Sequence, residues 1–270
     1  MTTLAEVAAV AEQLWPLNGA EEWDAPGLLS GDPSAEVTRL LLAVDAVADT
    51  VDEAVEIGAD LLLVHHPLLL RGVTTVAEST AKGALLARLI RGGCALYSAH
   101  TNADIVATGT SARLAALLGL TDAVPIIETA PGVGLGRVGA LPEPTTLGAL
   151  ARRLAGILPA TATGVRVAGE FDRAVSHVAL CGGAGDSLLS EPSVRGSDVY
   201  ITADLRHHPA SEAVETARVA GGPALIDVSH WASEWLWLDT AADELRAALP
   251  SVEVIVSELR TDPWDFVVVQ

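Results

Sequence analysis

The chain has 270 residues, half of them hydrophobic, which is enough for one large or two modest α/β domains. It carries 16 basic and 35 acidic side chains, and its formal net charge is −19. Such a surface repels phosphate backbones and anionic lipids, which argues against binding to nucleic acid or to a membrane surface.

The first fifteen residues predict an amphipathic helix. They lack a basic start, and Glu6 and Glu12 interrupt their apolar positions, which is not typical of a signal peptide. The most apolar stretch, residues 61–70, is far shorter than the roughly 20 residues that span a bilayer. Cys94 and Cys181 lie in apolar contexts, as expected of buried thiols in a reducing compartment. We therefore expect a cytoplasmic protein.

Strands and helices alternate through the first half of the chain. Residues 37–44 predict a strand, and an acidic helical stretch follows it. A second strand, LLLVHHP, ends in His65-His66-Pro67. A helix over residues 81–91 then leads to Gly92-Gly93 and to a third strand that ends at His100.

The second half repeats this order. Residues 174–181 predict a strand, VYITADLRHHP predicts another that ends in a second His-His-Pro, and a helix, two glycines and a strand ending at His230 follow. So many matches in one order indicate internal duplication. We expect an α/β fold of two similar lobes, formed by residues 1–124 with 230–270 and by residues 125–229. Each lobe should be a largely parallel or mixed sheet covered by helices.

Adjacent histidines at the end of the second strand are the first candidate ligands. Successive side chains alternate across a strand, but at its exposed carboxyl end His65 and His66 can both turn towards one crevice. The alternative is that one imidazole lies in the core and the other in solvent.

Two pairs spaced four residues apart follow the strands that end in single histidines. His230 and Glu234 would share one face of a helix, and could bind metal or form an ordinary surface pair. His100 precedes Asp104, a possible ligand, with Asn102 favoured as a cap of the next helix. His207 and His208 could be relics of the duplication or could line a substrate pocket.

Three histidines, one aspartate and one glutamate are sufficient ligands for two divalent ions. Nitrogen and oxygen donors without cysteine favour iron, manganese, cobalt, nickel or zinc. A separate glycine-rich segment, CGGAGD from Cys181, could receive a phosphate on its backbone amides or could simply form a tight turn.

Taken together, these motifs resemble one family, the dinuclear-metal, hexameric proteins often labelled GTP cyclohydrolase 1 type 2 homologues (the Nif-three-like proteins). The matching segments, in the family's order from about Trp23 to Glu234, are WDAPGLLSGDP, LLLVHHPLLLRGV, ALYSAHTNAD, VALCGGAGDS, ADLRHHPA and DVSHWASE. Two departures, Ala25-Pro26 and Trp231-Ala232, replace an Asn-Val pair and a Tyr-containing pair without touching a ligand. The segment that joins the lobes is too short for the inserted domain of some relatives.

The resemblance implies which residues bind each of the two metal ions. Glu234 bridges the two ions, His66 and Asp104 bind one ion, and His65 and His230 bind the other. It also implies a ring-shaped homo-hexamer. Trp231, Trp235 and Trp237 lie close to the last ligands in the sequence and predict a buried contact, either between lobes or between subunits.

Two functions are compatible with these residues. The first is a metal-dependent hydrolase acting on a small phosphorylated or nucleotide substrate, with His100 or His207 as general acid or base. The family label suggests hydrolytic opening of GTP. The alternative is a non-enzymatic metal-containing ring that binds a protein partner or handles metal.

Overall fold

The computed structural model describes residues 1–269 and divides into two compact units. The first unit comprises Met1–Ala103 with Leu238–Thr261, and the second comprises Asp104–Trp237 with the carboxyl-terminal segment from Asp262. Each unit is built around one main sheet covered by helices. This mixed α/β architecture confirms the predicted fold class.

The first unit holds a five-stranded sheet. Its strands are β1 (Gly27–Ser30), β2 (Arg39–Ala43), β3 (Leu61–Val64), β4 (Ala95–Ser98) and β13 (Glu253–Val256). Their order is β1-β4-β3-β2-β13, and all neighbours are parallel except the antiparallel pair β1 and β4. All residues of β3 and β4 are buried. Continuous apolar runs of this kind are typical of parallel strands covered on both faces.

The helices of the first unit are α1 (Leu4–Leu14), α2 (Ala48–Glu56), α3 (Ala81–Arg91) and α10 (Leu238–Ala248). The single turn α4 (Thr101–Asp104) follows β4, and its last residue is the first of the second unit. The predicted bounds of α3 are confirmed. Its start is fixed by the Thr80 hydroxyl, which accepts the N–H of Gly83 at 3.2 Å. Val51 and Leu89, both fully buried, bring α2 and α3 into one apolar cluster with Leu62 and Leu96 of the sheet.

The second unit holds a six-stranded sheet and a small hairpin. Its strands are β5 (Thr121–Val124), β6 (Ile127–Ala130), β7 (Val133–Leu135), β8 (Arg137–Thr146), β9 (Arg166–Ala168), β10 (Ala174–Ala184), β11 (Val199–Ala203) and β12 (Ala224–Val228). The main sheet has the order β5-β8-β10-β11-β12-β9, in which only β10, β11 and β12 run parallel, and β6 pairs with β7.

The helices of the second unit are α5 (Thr110–Leu117), α6 (Leu147–Ile157), α7 (Pro192–Arg195), α8 (His207–Ala220) and α9 (His230–Trp235). The buried side chains of Ala179, Tyr200 and Leu225 anchor a cluster between the parallel strands and the helices that cover them. Within residues 1–269 no helix is long and apolar enough to cross a bilayer.

The duplication predicted from the sequence has a structural counterpart. Three consecutive parallel strands form the centre of each sheet, β2, β3 and β4 in one unit and β10, β11 and β12 in the other. Each third strand is followed two residues later by a histidine, His100 after β4 and His230 after β12. The repeat therefore places chemically similar residues at the carboxyl ends of corresponding strands.

The two units do not follow the lobe boundaries expected from the sequence, which were 1–124 with 230–270 and 125–229. Residues 104–124, residues 230–237 and the segment from Asp262 lie in the second unit. Strand β5 pairs with β8 of the six-stranded sheet, and α5 and α9 both pack on β10. Strand pairing and helix packing in the second unit thus hold segments that the sequence repeat alone assigned to the first lobe.

Candidate metal centre

His65 and His66 directly follow β3, and their backbone continues the hydrogen bonding of that strand to the end of β2. The backbone N–H of His65 donates to the carbonyl of Ala43 at 3.1 Å, and that of His66 donates to Val44 at 2.8 Å. The His65 side chain is fully buried, whereas 27% of the His66 side chain is exposed. His65 is therefore buried, as the second alternative expects, but its ring and that of His66 also turn into one cluster, as the first alternative expects.

That cluster joins three imidazoles of the first unit. The ring centroids of His65 and His66 lie 5.1 Å apart, those of His65 and His100 lie 5.1 Å apart, and those of His66 and His100 lie 5.5 Å apart. One nitrogen from each ring lies within 4.8 Å of the others, so this group could hold a metal ion. His100 thus joins the two histidines that the sequence singled out as ligands.

Each of these rings has an oxygen partner at Nδ1. His65 Nδ1 lies 2.8 Å from the carbonyl oxygen of Ala99, His66 Nδ1 lies 2.7 Å from Asp45 Oδ1, and His100 Nδ1 lies 2.8 Å from Asp24 Oδ1. A carbonyl or an ionised carboxylate can only accept, so in a neutral ring Nδ1 carries the proton and Nε2 would bind a metal ion. Partners of this kind commonly orient metal-binding histidines.

Asp24 organises the loop around His100. Its side chain is fully buried and also accepts hydrogen bonds from the backbone N–H and the hydroxyl of Thr101. Burial alone would raise the pKa of Asp24, but the hydrogen bonds from His100 and Thr101 outweigh it and lower the pKa to about 2. The carboxylate is therefore charged wherever the protein is folded near neutral pH.

The sequence suggested that Asn102 caps the next helix, but in the structure its side chain makes other hydrogen bonds. Its side-chain oxygen accepts the backbone N–H of His100 at 2.9 Å, and its amide donates to the carbonyl of Trp15 at 2.7 Å. Asn102 lies inside α4 and is fully buried, so it fastens the His100 backbone to the end of α1.

In the second unit, His230 and Glu234 meet on the first turn of α9. The Ser229 hydroxyl caps this helix by accepting the N–H of Ala232 at 3.2 Å. His230 Nε2 lies 3.0 Å from Glu234 Oε1, and His230 Nδ1 lies 2.7 Å from Asp204 Oδ2. Glu234 is only 3% exposed. The predicted convergence of an imidazole and a carboxylate on one helix face is present, in a buried setting.

The charge around His230 is strongly negative. Burial by itself would lower its pKa, but Glu234 and Asp204 outweigh that effect and raise the pKa to about 11. The two carboxylates thus favour a positive charge between them. A protonated His230 or a bound divalent ion can provide that charge.

Gly183, near the end of β10, leaves room for this pair. A Cβ atom at Gly183 would lie 2.3 Å from Glu234 Oε1 and 3.3 Å from His230 Nε2, and the residue has a φ of +66°. Its backbone N–H donates to the Ser233 hydroxyl at 2.9 Å. The backbone of β10 therefore approaches the carboxylate more closely than any side chain would allow.

The glycine-rich segment itself forms part of this strand. Residues 181–184 lie in β10, and the N–H of Gly182 donates to the Ser111 hydroxyl at 3.0 Å. Because Ser111 and Ser233 already accept the amides of Gly182 and Gly183, the structure argues against phosphate binding at these amides, and residues 181–184 extend β10 where the alternative was a tight turn.

Asp104 begins the second unit. Its Oδ1 accepts the buried Thr110 hydroxyl at 2.5 Å. Burial, and then the charges of Asp104 and Glu234, raise the pKa of the Cys181 thiol to about 12. The negative charges of Asp104 and Glu234 thus both act on the Cys181 thiol, which stays protonated. This agrees with a donor set of nitrogen and oxygen without sulfur.

His207 and His208 lie elsewhere. Both are exposed on the first turn of α8, with ring centroids 5.2 Å apart. Among the described residues, neither belongs to a group of three side chains that could hold a metal ion. The predicted strand VYITADLRHHP ends at Ala203, because Asp204 adopts a φ of +56° and the chain turns into α8. The second His-His-Pro therefore begins a helix.

The residues that the sequence interpretation missed are the partners of the imidazoles, Asp24, Asp45 and Asp204. Asp45 lies two residues after β2, and Asp204 follows β11 directly. An acidic residue just beyond a buried parallel strand could have indicated them, because the carboxyl ends of such strands commonly carry the functional groups.

The chain is similar to known proteins over nearly its whole length. The family described as Duf34/NIF3 (NGG1p interacting factor 3) matches residues 2–263. A Streptomyces coelicolor protein called GTP cyclohydrolase 1 type 2 homolog is 47% identical, over 98% of this chain and 94% of its own length. A Mycobacterium leprae protein of the same name is 37% identical, over 97% of this chain and 95% of its own length.

The mycobacterial alignment runs over 371 positions, so that relative carries inserted sequence that this chain of 270 residues lacks. The fold also matches a crystal structure of a Bacillus cereus protein related to NIF3, with a TM-score of 0.87 and 23% identity, over 98% of this chain and 99% of that one. The chain therefore belongs to the Duf34/NIF3 family.

Proposed function

We propose that the chain binds two divalent transition-metal ions through His65, His66, Asp104, His230 and Glu234 and hydrolyses a small substrate with them. The observation that carries this proposal is the shared arrangement of the four imidazoles, His100 included, since each has an oxygen partner at Nδ1. Such partners orient Nε2 for a cation. Iron, manganese, zinc, cobalt and nickel all suit this donor set.

The family resemblance suggests how the ligands divide. Glu234 would bridge both ions, His66 and Asp104 would complete one position, and His65 and His230 the other. Two adjacent divalent ions supply Lewis acidity and lower the pKa of water, which is the chemistry that hydrolysis needs. They would also attract an anionic substrate to a chain whose formal charge is −19.

His100 is our candidate for moving a proton. Asp24 holds its Nδ1, so Nε2 is the atom that would give or take the proton. The backbone of His100 is fastened by Asn102, which limits its freedom to reorient. His207 remains a second prediction for the same role, as an exposed imidazole at the start of α8. The name of the curated relatives makes a nucleotide such as GTP the first substrate to test.

The test is turnover of GTP and of a panel of phosphoesters by metal-loaded, chelated and reloaded protein. We expect hydrolysis that stops on chelation and returns on reloading. His100→Gln should lower kcat by about a hundredfold or more while both ions stay bound. His177→Gln is the matched control, because His177 is an exposed histidine of β10 outside the imidazole groups.

Two other outcomes would be informative. Retention of two ions without turnover of any compound would favour the alternative function, a metal-containing ring that binds a protein partner or handles metal. Loss of metal from His100→Gln would make His100 a ligand instead of a proton carrier.

A further inference from the structure

Trp23 is a large aromatic side chain on the surface beside the imidazole cluster. Its side chain is 60% exposed, in a chain whose aromatic content is only 4%. It lies in a turn closed by the hydrogen bond from the N–H of Asp24 to the carbonyl of Glu21, at 3.0 Å. Exposing so much indole to water is unfavourable, so a ligand that covers it would gain apolar contact.

The position of Trp23 is fixed by its neighbour. The Asp24 carboxylate is buried and accepts hydrogen bonds from His100, Thr101 and Ala25. The indole of Trp23 lies against the His100 ring, with centroids 5.9 Å apart and planes at 79°. A ring contact of this geometry leaves indole surface open at the edge of the His65, His66 and His100 group.

The charge of the turn restricts what can stack there. Glu21 and Glu22, both exposed, directly precede Trp23. Carboxylates repel an anionic ring, but they tolerate a neutral or cationic heterocycle whose anionic group lies elsewhere. Flat heteroaromatic rings stack on exposed tryptophan irrespective of their substituents, because every such ring offers a π face.

We propose that Trp23 is the platform on which a planar, uncharged or cationic heteroaromatic ring of the substrate stacks, next to His100. This inference rests on the proposed function, because it assigns a substrate class to that same site. Trp23 is a positioning residue, because it binds and orients the ring and takes no part in proton transfer.

The test is calorimetric binding to metal-loaded protein of two probes, the β,γ-imido analogue of GTP, whose phosphate chain resists cleavage, and tripolyphosphate, which has no ring. The analogue should bind more tightly than tripolyphosphate. Trp23→Ala should weaken binding of the analogue by about tenfold and leave tripolyphosphate unchanged, while Trp23→Phe keeps most of the affinity. Trp264→Ala, which removes an indole that is 61% exposed in the carboxyl-terminal segment, should change neither affinity.

The controls separate this inference from the proposed function. Failure of both the metal and tripolyphosphate to bind would contradict the proposed function itself. Normal binding of metal and tripolyphosphate, with an analogue that binds no more tightly or with a Trp23→Ala variant that binds it as well as the wild type, would overturn the stacking role alone.

Discussion

Asp45 is the residue whose substitution tests the orientation of a proposed ligand most cleanly. It accepts a hydrogen bond from His66 Nδ1 at 2.7 Å and another from the Thr261 hydroxyl. Asp45→Asn keeps the shape but offers a neutral group, so it should weaken metal binding by about tenfold to a hundredfold. Competition with a fluorescent chelator would measure this affinity. Asp52→Asn, which removes a surface partner of Arg88, is the control and should leave the affinity unchanged.

The raised pKa of His230 makes the metal-free protein sensitive to alkaline pH. The pKa is about 11 when folded, above the ordinary value of 6.5. The protonated ring therefore stabilises the fold fully below pH 6.5, and this contribution is lost as the pH rises towards 11. The free energy of unfolding in urea should fall from about pH 7 to about pH 10, and His230→Gln should flatten that fall.

The same group links pH to metal binding. An imidazole must lose its proton before it can bind a metal ion, so binding should release protons, and the affinity should keep rising above neutral pH. Calorimetry in buffers of different ionisation enthalpy would count the protons. An affinity that does not change over this range would argue against His230 as a ligand.

At the residue scale, the candidate ligands were easier to predict from the sequence than the residues around them. His65, His66 and the His230–Glu234 pair were recognisable because neighbouring or four-residue spacing brings side chains together locally. The partners Asp24 and Asp45 were not, because each reaches its histidine across 76 or 21 residues of chain. Contacts of that kind depend on strand order, which spacing along the sequence does not reveal.

At the scale of elements, the bounds of α3 were predictable, because capping residues and helical periodicity are local signals. The end of β11 was not. Asp204 turns the chain with a positive φ, and the apolar-to-polar pattern of the predicted strand hides that turn. The Asp204 carboxylate then accepts a hydrogen bond from His230, so the irregular backbone serves the candidate site.

The close approach of β10 to α9 gives a prediction about packing between elements. In Gly183→Ala the new Cβ would collide with Glu234 Oε1, at 2.3 Å, in addition to the strain of a positive φ. Gly164→Ala is the matched control, since Gly164 has a similar φ of +59° and nothing within 4 Å.

Gly164→Ala should cost roughly 1–2 kcal/mol of unfolding free energy, the ordinary penalty for the left-handed conformation. Gly183→Ala should cost more and should also lower metal content, which elemental analysis would show. Equal losses of stability in the two variants, with full metal content in both, would mean that Glu234 has room to move.

At the scale of the whole molecule, we expect six chains per particle, as the family resemblance implies. Trp231 and Trp237 are buried in the single chain, so of the three tryptophans near α9 only Trp235 is partly exposed. Closed symmetry is the usual arrangement of soluble homo-oligomers. Light scattering would measure the mass. Six times 27.8 kDa supports the hexamer, and a single chain of 27.8 kDa contradicts it.

We propose that one chain binds two metal ions, and elemental analysis of purified protein tests this number most directly. Protein prepared without chelator, or reconstituted with iron, manganese or zinc, should hold close to two ions per chain. Glu234→Gln should lower occupancy of both positions, because a bridging carboxylate serves both ions, whereas His230→Ala should empty mainly one. His177→Ala should retain both. Less than half an ion per chain in the reconstituted wild type would contradict the proposed two-ion site.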